Sequence, residues 1–461
     1  MRVLSHTMTI DTLFHQHITR LQDEFATALS NCCPQARGAL LYSGGQSPYY
    51  QDDQYPPFRA WGHFLRWLPV ERPGQYLQVE PGKRPVLYAI VAPDFWHDQS
   101  LELPEWWANE FEIIVIADEE SLIKKIGKRL PDYVFLGDSS GRGVQTVTAA
   151  LGIASDRVNP APLLAWLDYR RAYKTDYEVH RIAEANAVAM TGHRAAHDTF
   201  RDGGDEYDIH LAYLQACRAL DEELPYPSIV ALNQHAAILH YQHKQRTQHV
   251  SHSSPNQVLL IDAGYRVEGY CADITRTWAA PDAHPVFLAL LAGTEQLQQR
   301  IITETASGMS FVTLHERAHA LLAELLVEIT IARGTVDALL EHGVAQCFMP
   351  HGLGHMLGLQ VHDSGGRQID VSGTLLSPPA QFPALRTTRT IESGMVTTIE
   401  PGVYFIPMLL DELRQTLRQR QQSSLLDWSL IDQLTPLGGI RIEDNIHVRD
   451  SAVHNLTRVI P

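Results

Sequence analysis

The chain has 461 residues, 44% of them hydrophobic, which is enough to bury a sizeable core and predicts two or three domains. Its formal net charge of −16 argues against nucleic acid or an anionic membrane as a partner, and it makes any single Asp or Glu a solvated surface group by default. The five cysteines are odd in number and scattered, unlike a disulfide framework or a cysteine-based zinc site, so they favour a reducing cytoplasm.

The distribution of apolar residues agrees with a cytoplasmic location. The first residues lack the continuous apolar core of a signal peptide. No uninterrupted apolar stretch reaches the roughly 18 residues that a membrane span needs. We therefore expect a cytoplasmic protein without a membrane partner.

The first part of the chain, residues 1–172, alternates short apolar strands with helical patterns. Three apolar runs bounded by Pro, Gly and Asp predict buried strands, at residues 84–93, 111–118 and 132–138. Aromatic residues are frequent between residues 49 and 107, which is typical of a core or an interface. A mixed α/β domain is expected here.

A second domain, residues 173–461, is predicted to follow. Thr175 and Glu178 have the spacing of a helix capping box, and apolar residues then continue at helical spacing to Ala189. Further helices are predicted around residues 208–223, 283–306 and 313–333, with strand pairs at 257–278, 394–405 and 438–448. The polar stretch at residues 409–430 indicates a helix-prone insertion between the last two strand pairs.

Four carboxylates of this second domain lie in strands that are otherwise apolar or β-branched. Asp262 and Asp273 flank a turn in the first strand pair, and antiparallel pairing is expected to place them opposite one another. Glu400 and Glu443 lie in the other two strand pairs. An ionised carboxylate on a buried strand is costly unless it is paired or binds a cation, so the four together predict a cation site.

The stretch MPHGLGHMLGLQVHD at residues 349–363 carries three histidines, His351, His355 and His362. Each of its glycines costs roughly 1 kcal/mol in a helix interior, so a loop or a close-packed backbone is expected in place of a helix. With His355, the four carboxylates form a ligand set whose charge two divalent cations cancel. Oxygen-rich ligands with one imidazole favour Mn²⁺, Co²⁺ or Zn²⁺ over a thiolate-loving ion.

Five stretches, LLIDAG, ADITRTW, HGLGHMLGLQVHD, TIEPGVYF and GGIRIEDN, resemble in order and spacing the successive signatures of the metal-dependent creatinase/prolidase/aminopeptidase P family. The resemblance runs from Tyr173 to the C-terminus and is closest to the bacterial Xaa-Pro dipeptidases, or prolidases. It continues into the first domain through QDDQYPPFRAW and APDFWHD. It implies an α/β (α+β) protein in which an N-terminal mixed α/β domain precedes a C-terminal pita-bread catalytic domain.

The resemblance also implies roles for individual residues. The metal ligands would be Asp262, Asp273, His355, Glu400 and Glu443, with Asp273 and Glu443 bridging two ions, most typically manganese. His351 and His362 would face the substrate, and His240 would close on it. Read by its chemistry alone, His362 can equally be a turn histidine ahead of Asp363.

Three further residues are predicted to bind the substrate dipeptide, and a fourth to balance charge beside the metals. Arg386 matches the prolidase arginine that holds the C-terminal carboxylate, a role that suits a bidentate guanidinium, although a surface arginine is the alternative. Tyr226 stands where prolidases carry a tyrosine and could line a proline pocket. Asp53 is expected near the substrate amine across a homodimer interface, or else in a loop folded on its own domain. Arg441 is expected to serve the substrate, and neutralisation of the carboxylates alone is the alternative.

The activity that these roles imply is hydrolysis of dipeptides with proline second. A hydroxide bridging the two metals would attack the scissile carbonyl, Glu400 would relay the proton, and His351 and His240 would stabilise the oxyanion or hold substrate ends. A side activity on organophosphate triesters follows from the same chemistry. Two alternatives stay open: an aminopeptidase P, which acts on longer peptides, and a non-catalytic interaction protein on the same fold. The polar insertion favours the dipeptidase, and the complete ligand set favours an enzyme.

Overall fold

A computed structural model of the protein describes residues 9–127, 130–138, 144–246, 256–450 and 452–458. The chain divides into two compact units. The first comprises the residues up to Glu178 together with Asp370–Thr374, and the second comprises Val179–Ile369 and the residues from Leu375 onward. The division falls inside a long helix, whereas the predicted boundary at residue 172 lies just before that helix begins.

The first unit is a mixed α/β domain built on one sheet. Its strands are β1 (Gly38–Tyr42), β2 (Tyr76–Val79), β3 (Val86–Ile90), β4 (Glu112–Ile116) and β5 (Tyr133–Leu136). Its helices are α1 (Ile10–Cys32), α2 (Gly62–Leu65), α3 (Glu105–Ala108), α4 (Glu119–Ile126), α5 (Val144–Leu151) and α6 (Ala161–Arg171). The sheet order is β4-β3-β2-β1-β5, with β1/β5 and β3/β4 parallel and the other pairs antiparallel. The three predicted strands are confirmed as β3, β4 and β5.

The core of this sheet follows from its apolar strands. All residues of β1, inside the sheet, and of β5, at its edge, are buried, which indicates that both faces of these strands are covered. The rings of Tyr42 and Tyr76 stack on adjacent strands with centroids 4.7 Å apart. Of the aromatic residues between 49 and 107, Trp67 and Trp107 are buried, whereas Tyr50 and Trp96 are exposed.

The predicted capping box between the domains is confirmed. The backbone N–H of Thr175 donates to Oε2 of Glu178 at 2.9 Å, and the backbone N–H of Glu178 donates to Oγ1 of Thr175 at 3.3 Å. These bonds satisfy two amide groups at the start of the helix Asp176–Arg201, which is α7.

The second unit carries the remaining elements. Its other helices are α8 (Glu206–Cys217), α9 (Pro285–Glu304), α10 (Phe311–Glu328), α11 (Val336–Glu341), α12 (Val344–Phe348), α13 (Pro407–Gln419) and α14 (Trp428–Leu434). Its strands are β6 (Ile229–Leu232), β7 (Val258–Asp262), β8 (Arg266–Val267), β9 (Tyr270–Cys271), β10 (Thr275–Ala279), β11 (Val396–Ile399), β12 (Gly402–Tyr404), β13 (Gly439–Arg441), β14 (Asp444–Val448) and β15 (Val453–Asn455).

The predicted helices of this unit are present as α8, α9 and α10, and the polar insertion forms α13 and α14. Helix α8 ends earlier than predicted because Arg218 adopts the left-handed conformation at φ 54°, which terminates the helix. In the described part of the chain, no helix has the length and apolar character needed to cross a membrane.

Four small sheets position the predicted ligands. Strands β10, β7 and β6 form one sheet, β11, β14 and β15 another, and β12/β13 and β8/β9 are antiparallel pairs. Helices α9 and α10 pack against each other and contribute to the largest apolar core, which also includes Ile399 and Ile440 from the strands that flank the predicted ligands. Burial of this apolar surface supplies the main driving force for holding the polar site in place.

Candidate active site

The two aspartates lie near each other, but their predicted direct opposition across the hairpin is wrong. Asp262 ends β7 and pairs with Thr275, while Asp273 lies before β10 begins. The reason is the position of the turn: Val267 pairs with Tyr270 in the same register as Asp262 with Thr275, so the chain turns at Glu268 and Gly269, which both have positive φ. The hydroxyl of Tyr226 contacts both carboxylates, at 2.7 Å from Oδ1 of Asp262 and 2.5 Å from Oδ1 of Asp273.

The two glutamates lie at matching interruptions of their strands. Glu400 follows β11 and precedes β12, and Glu443 lies between β13 and β14. Because β11 pairs with β14 and β12 pairs with β13, both breaks occur at the same level of the ladder. The carboxylates therefore project from irregular backbone between regular strands.

His355 is held by β11 through its backbone. Its N–H donates to Oγ1 of Thr398 at 3.0 Å, and its carbonyl accepts from the Thr398 N–H at 2.9 Å. Ring Nδ1 lies 3.1 Å from the carbonyl of Met356, which assigns the proton to Nδ1. The other nitrogen, Nε2, lies 3.3 Å from Oδ2 of Asp273 and 3.6 Å from Oε1 of Glu400, so it interacts with both carboxylates and would present its lone pair to a bound cation.

The glycines of this stretch permit the close approach that the sequence predicted. A Cβ on Gly354 would stand 2.1 Å from the carbonyl oxygen of Thr398. Only glycine therefore fits between this loop and β11. Residues 349–363 form turns and isolated bridges in place of a helix, as expected.

One cavity of about 280 Å³ brings ten of the predicted residues together. Its walls include the predicted metal ligands and the predicted substrate-facing groups: Asp262, Asp273, His355, Glu400, Glu443, His240, His351, His362, Arg386 and Arg441. Tyr226 reaches the same group of carboxylates through its hydroxyl. All these residues belong to the second unit.

The donor set fits divalent metal ions. Ligand atoms of Asp273, His355 and Glu443 lie within 4.8 Å of one another, and all three residues are buried. Oε1 of Glu443 is a buried carboxylate oxygen without a hydrogen-bond partner among the described residues, which a cation would satisfy. Tyr226 has one hydroxyl proton and can donate it to only one of the two aspartates at a time.

The electrostatics of the protein without metal lead to the same conclusion. Burial, reinforced by the charges of Asp273 and its neighbours, raises the pKa of Glu443 far above the usual range. Burial also raises the pKa of Glu400 to about 7. It raises the pKa of Asp262 to about 6, although the charge of Arg441 acts in the opposite direction. Asp273 is the exception, because its hydrogen bond and charge interaction with His355 outweigh burial and lower its pKa. Clustered carboxylates of this kind are stabilised as anions by bound cations.

Arg441, Tyr404 and His351 form a chain of hydrogen bonds beside the carboxylates. Nη1 of Arg441 donates to the hydroxyl of Tyr404 at 2.9 Å, and this hydroxyl lies 2.9 Å from Nε2 of His351. His351 Nδ1 lies 2.8 Å from the carbonyl of Gly352, so Nε2 accepts from Tyr404. Burial and the nearby Arg441 lower the pKa of His351 to about 3. The imidazole is therefore neutral with a defined tautomer.

Sequence reasoning missed Tyr404 and the threonines that hold the ligands. Oγ1 of Thr275 donates to Oε2 of Glu443 at 2.7 Å, and it accepts from Nε of Arg441 at 3.0 Å. Tyr404 lies in the family-like stretch TIEPGVYF, but from sequence alone its aromatic ring is expected to belong to the apolar core. A buried tyrosine usually has a hydrogen-bond partner, and this was the available signal.

The remaining predicted residues lie at the edge of the cavity or in the other unit. His240, His362 and Arg386 are exposed side chains in its wall, and the His362 ring packs edge-on to His355 with centroids 4.5 Å apart. Partial burial and the positive neighbours His355 and Arg386 lower the pKa of His362 to about 4. Asp53 is an exposed residue of the first unit, where its Oδ1 accepts from Nε2 of Gln54 at 3.0 Å.

Known proteins resemble the chain along nearly its whole length. Residues 180–450 match the family described as metallopeptidase family M24, and residues 12–169 match "Xaa-Pro dipeptidase, N-terminal domain". A curated protein of Pectobacterium carotovorum named Xaa-Pro dipeptidase is 39% identical over 97% of this chain and 98% of its own length. One of the same name from Aeromonas hydrophila is 41% identical, with the same coverage.

Solved structures share the fold. Aminopeptidase P from E. coli with the inhibitor Pro-Leu aligns with a TM-score of 0.72 at 19% identity, covering 96% of this chain and 94% of that chain. Proline aminopeptidase P II from Yersinia pestis aligns at 0.69 with 22% identity, covering 96% of each chain. These likenesses confirm the expected mixed α/β architecture with a pita-bread catalytic domain. The chain belongs to metallopeptidase family M24, whose members are hydrolases that use divalent metal ions.

Proposed function

We propose that this protein hydrolyses Xaa-Pro dipeptides. The observation that carries the proposal is that one cavity holds the clustered carboxylates and, at its edge, Arg386. Among the described residues, Arg386 has no carboxylate partner within ion-pair distance, so it is available to a carboxylate of the substrate. The names of relatives that are about two-fifths identical over nearly the whole chain support the same substrate class.

Two divalent cations, with manganese as the first candidate, would be held by Asp262, Asp273, His355, Glu400 and Glu443. When bound, such a pair would supply Lewis-acid polarisation of the scissile carbonyl and an activated water. A solved relative of the same fold is described as Zn-substituted, so zinc belongs in the same metal analysis as manganese and cobalt.

The chain's own residues would move the proton and hold the substrate. Glu400 is proposed to take the proton of the attacking water and deliver it to the leaving proline nitrogen, which a carboxylate within the cavity can do. His351, kept neutral and oriented by Tyr404 and Gly352, would help to hold a substrate end, and His240 would face the developing oxyanion. His362 would contact the substrate beside His355.

The contacts of Arg441 and Tyr226 favour a positioning role. Nη2 of Arg441 lies 2.6 Å from Oδ2 of Asp262, and the Tyr226 hydroxyl contacts Asp262 and Asp273. We propose that both residues orient the ligand carboxylates. A side chain that orients a metal ligand commonly affects metal affinity as strongly as the ligand itself.

The location, assembly and side activity of the protein are also part of the proposal. We propose a cytoplasmic homodimer without nucleic-acid or membrane partners, in which Asp53 of one subunit serves the site of its partner and binds the ammonium group of the dipeptide. Hydrolysis of organophosphate triesters is proposed as a side activity, because an activated water that attacks a carbonyl can also attack phosphorus.

The test compares substrates that differ only at the C-terminal carboxylate. Wild-type protein, with its metal content measured, should hydrolyse Ala-Pro faster than Ala-Pro-amide or Ala-Pro-Gly. Arg386→Ala should lower kcat/KM for Ala-Pro roughly 10- to 100-fold, and much less for the amide, because only the acid makes the charged hydrogen bonds. Arg418→Ala, an exposed arginine on α13, is the matched control.

Three outcomes would contradict the proposal. Hydrolysis that survives removal of all transition metal would exclude the metal mechanism. Preference for Ala-Pro-Gly over Ala-Pro would favour the aminopeptidase P alternative. An equal loss on acid and amide in Arg386→Ala would show that Arg386 does not hold the substrate carboxylate.

A further inference from the structure

A second cavity adjoins the candidate active site. It has a volume of about 250 Å³ and shares His355, His362 and Arg386 with the first cavity. Its outer wall adds Arg367 and Thr387. At about 30 Å³ per water, this volume is roughly that of eight water molecules, which is more than one carboxylate group requires.

Two cationic side chains line this second cavity. Nη2 of Arg367 donates to the carbonyl of Leu385 at 2.8 Å. Neither Arg367 nor Arg386 has a carboxylate within 4.0 Å among the residues that the structure describes. Asp363 also lines the cavity, but it is buried and has interactions of its own. Two such guanidiniums facing one concave space create a positive potential that attracts an anion.

Thr387 adds a neutral donor to the same wall. The residue is 1% exposed, and its Oγ1 has no hydrogen-bond partner among the described residues. This oxygen would lie 3.3 Å from a Cβ placed on Gly366, another residue of the wall. Buried hydroxyls in native proteins normally have a hydrogen-bond partner.

We propose that this cavity is a carboxylate-binding subsite, in which Arg367 and Arg386 hold the carboxylate oxygens and Thr387 donates to the same group. The carboxylate can belong to a free acid, such as a released amino acid, or to a residue that follows proline in a longer peptide. A carboxylate held here shares Arg386 with the dipeptide and should therefore weaken its binding. This last consequence rests on the proposed function, whereas the binding of the anion does not.

The test measures binding directly. Acetate, Gly-Pro-Gly and Gly-Pro-Gly-amide are titrated into the full-length, manganese-loaded protein and followed by ligand-observed NMR. Arg367→Gln should weaken acetate binding at least about fivefold, since charge-assisted bidentate contacts are lost, and Arg367→Lys should weaken it less. The matched control Arg418→Gln should change it less than about twofold.

The two sources of the carboxylate give different results. If acetate binding depends on Arg367, the subsite takes free carboxylates. If only the binding of Gly-Pro-Gly depends on Arg367, and Gly-Pro-Gly-amide does not bind, the subsite takes the terminal carboxylate of a longer peptide. Equal binding to wild type and Arg367→Gln in both titrations overturns the subsite. Hydrolysis of Ala-Pro is measured on the same samples. Arg367-dependent acetate binding without hydrolysis would contradict the proposed function alone, and hydrolysis without such binding would contradict the subsite alone.

Discussion

Arg441 and Asp262 form a buried ion pair, with Nη2 of the arginine 2.6 Å from Oδ2 of the carboxylate. The same guanidinium donates to Thr275 and to Tyr404, so one cation connects a predicted ligand with the strand and the aromatic ring beside it. Attraction within a buried pair roughly balances the cost of desolvation, but removal of one partner leaves an uncompensated charge.

Arg441→Met is therefore expected to lower the free energy of unfolding by about 3 kcal/mol, measured by urea denaturation in the presence of chelator. Arg441→Lys keeps the charge but not the planar set of donors, and it should recover only part of the loss. Arg418→Met, on the exposed face of α13, serves as the control. A loss no larger than that of the control would mean that the pair does not stabilise the protein.

Divalent metal should stabilise the folded protein through Glu443. Manganese in hundredfold excess over its dissociation constant should add about 2.7 kcal/mol, seen as a rise in Tm relative to protein in chelator. In Glu443→Gln a proposed ligand carboxylate is lost, so the response of Tm to manganese should shrink strongly. Glu412→Gln, an exposed glutamate, is the matched control. The same manganese response in both variants would argue against Glu443 as a ligand.

The sequence was sufficient to predict the candidate ligands, because an ionised carboxylate in an apolar strand is costly to bury and therefore indicates a bound cation or an ion-pair partner. Asp262, Asp273, Glu400 and Glu443 were recognised on this ground, and the structure places all four in one cavity. The groups that orient them were not recognised, because a hydrogen bond such as that of His351 with Tyr404 joins positions 53 residues apart. No local pattern encodes such a pairing.

The fold shows the same division between local and distant information. The capping box of α7 and the strands of the first unit follow from local patterns of residues. The register that places Thr275, and not Asp273, opposite Asp262 is set by where the chain turns, at Glu268 and Gly269, between strands of only two residues each. The grouping of Asp370–Thr374 with the first unit depends on tertiary contacts and left no signal in the sequence.

Gly354 should be required for the position of His355. A Cβ there would stand 2.1 Å from the Thr398 carbonyl oxygen, so Gly354→Ala must displace the loop from β11. We expect a loss of at least about 2 kcal/mol in stability and weaker manganese binding, measured by urea denaturation and by metal titration. Gly82→Ala is the contrast, because a Cβ there meets no atom within 4 Å and only its φ of +72° is unfavourable. Unchanged metal affinity in Gly354→Ala would contradict the argument.

The buried His17 should make the protein sensitive to mild acid. Its Nδ1 lies 2.8 Å from Oγ1 of Thr175 and its Nε2 lies 2.7 Å from the carbonyl of Arg66. Burial lowers the pKa of His17 from 6.5 to about 4, so the folded state favours the neutral ring. The unfolded chain binds a proton below pH 6.5 while the folded chain does not, and stability therefore falls as the pH decreases from 6.5 to about 4.

Between pH 6.5 and 4, the free energy of unfolding of the wild type should fall by roughly 3 kcal/mol more than that of His17→Gln, measured by urea denaturation at a series of pH values. His15→Gln changes an exposed histidine of the same helix and should leave the pH dependence of the wild type unchanged. If wild type and His17→Gln follow parallel curves between pH 6.5 and 4, burial of His17 does not cause the acid sensitivity.

The final prediction concerns the proposed homodimer. Asp53 lies in the loop QDDQYPPFRAW and is exposed, and its carboxylate accepts a hydrogen bond from Nε2 of Gln54. The carboxylate is therefore accessible to an ammonium group. If Asp53 serves the partner's site, a dimer of one Asp53→Ala subunit and one Glu400→Gln subunit has one site with both lesions and one with neither. Mixing the two inactive variants should then restore up to about half of the wild-type activity per mixed dimer, because its intact site retains both groups. Tyr50→Ala with Glu400→Gln controls for the loop itself, and subunit exchange is verified by mass spectrometry. Exchange without any return of activity would show that Asp53 does not act across an interface.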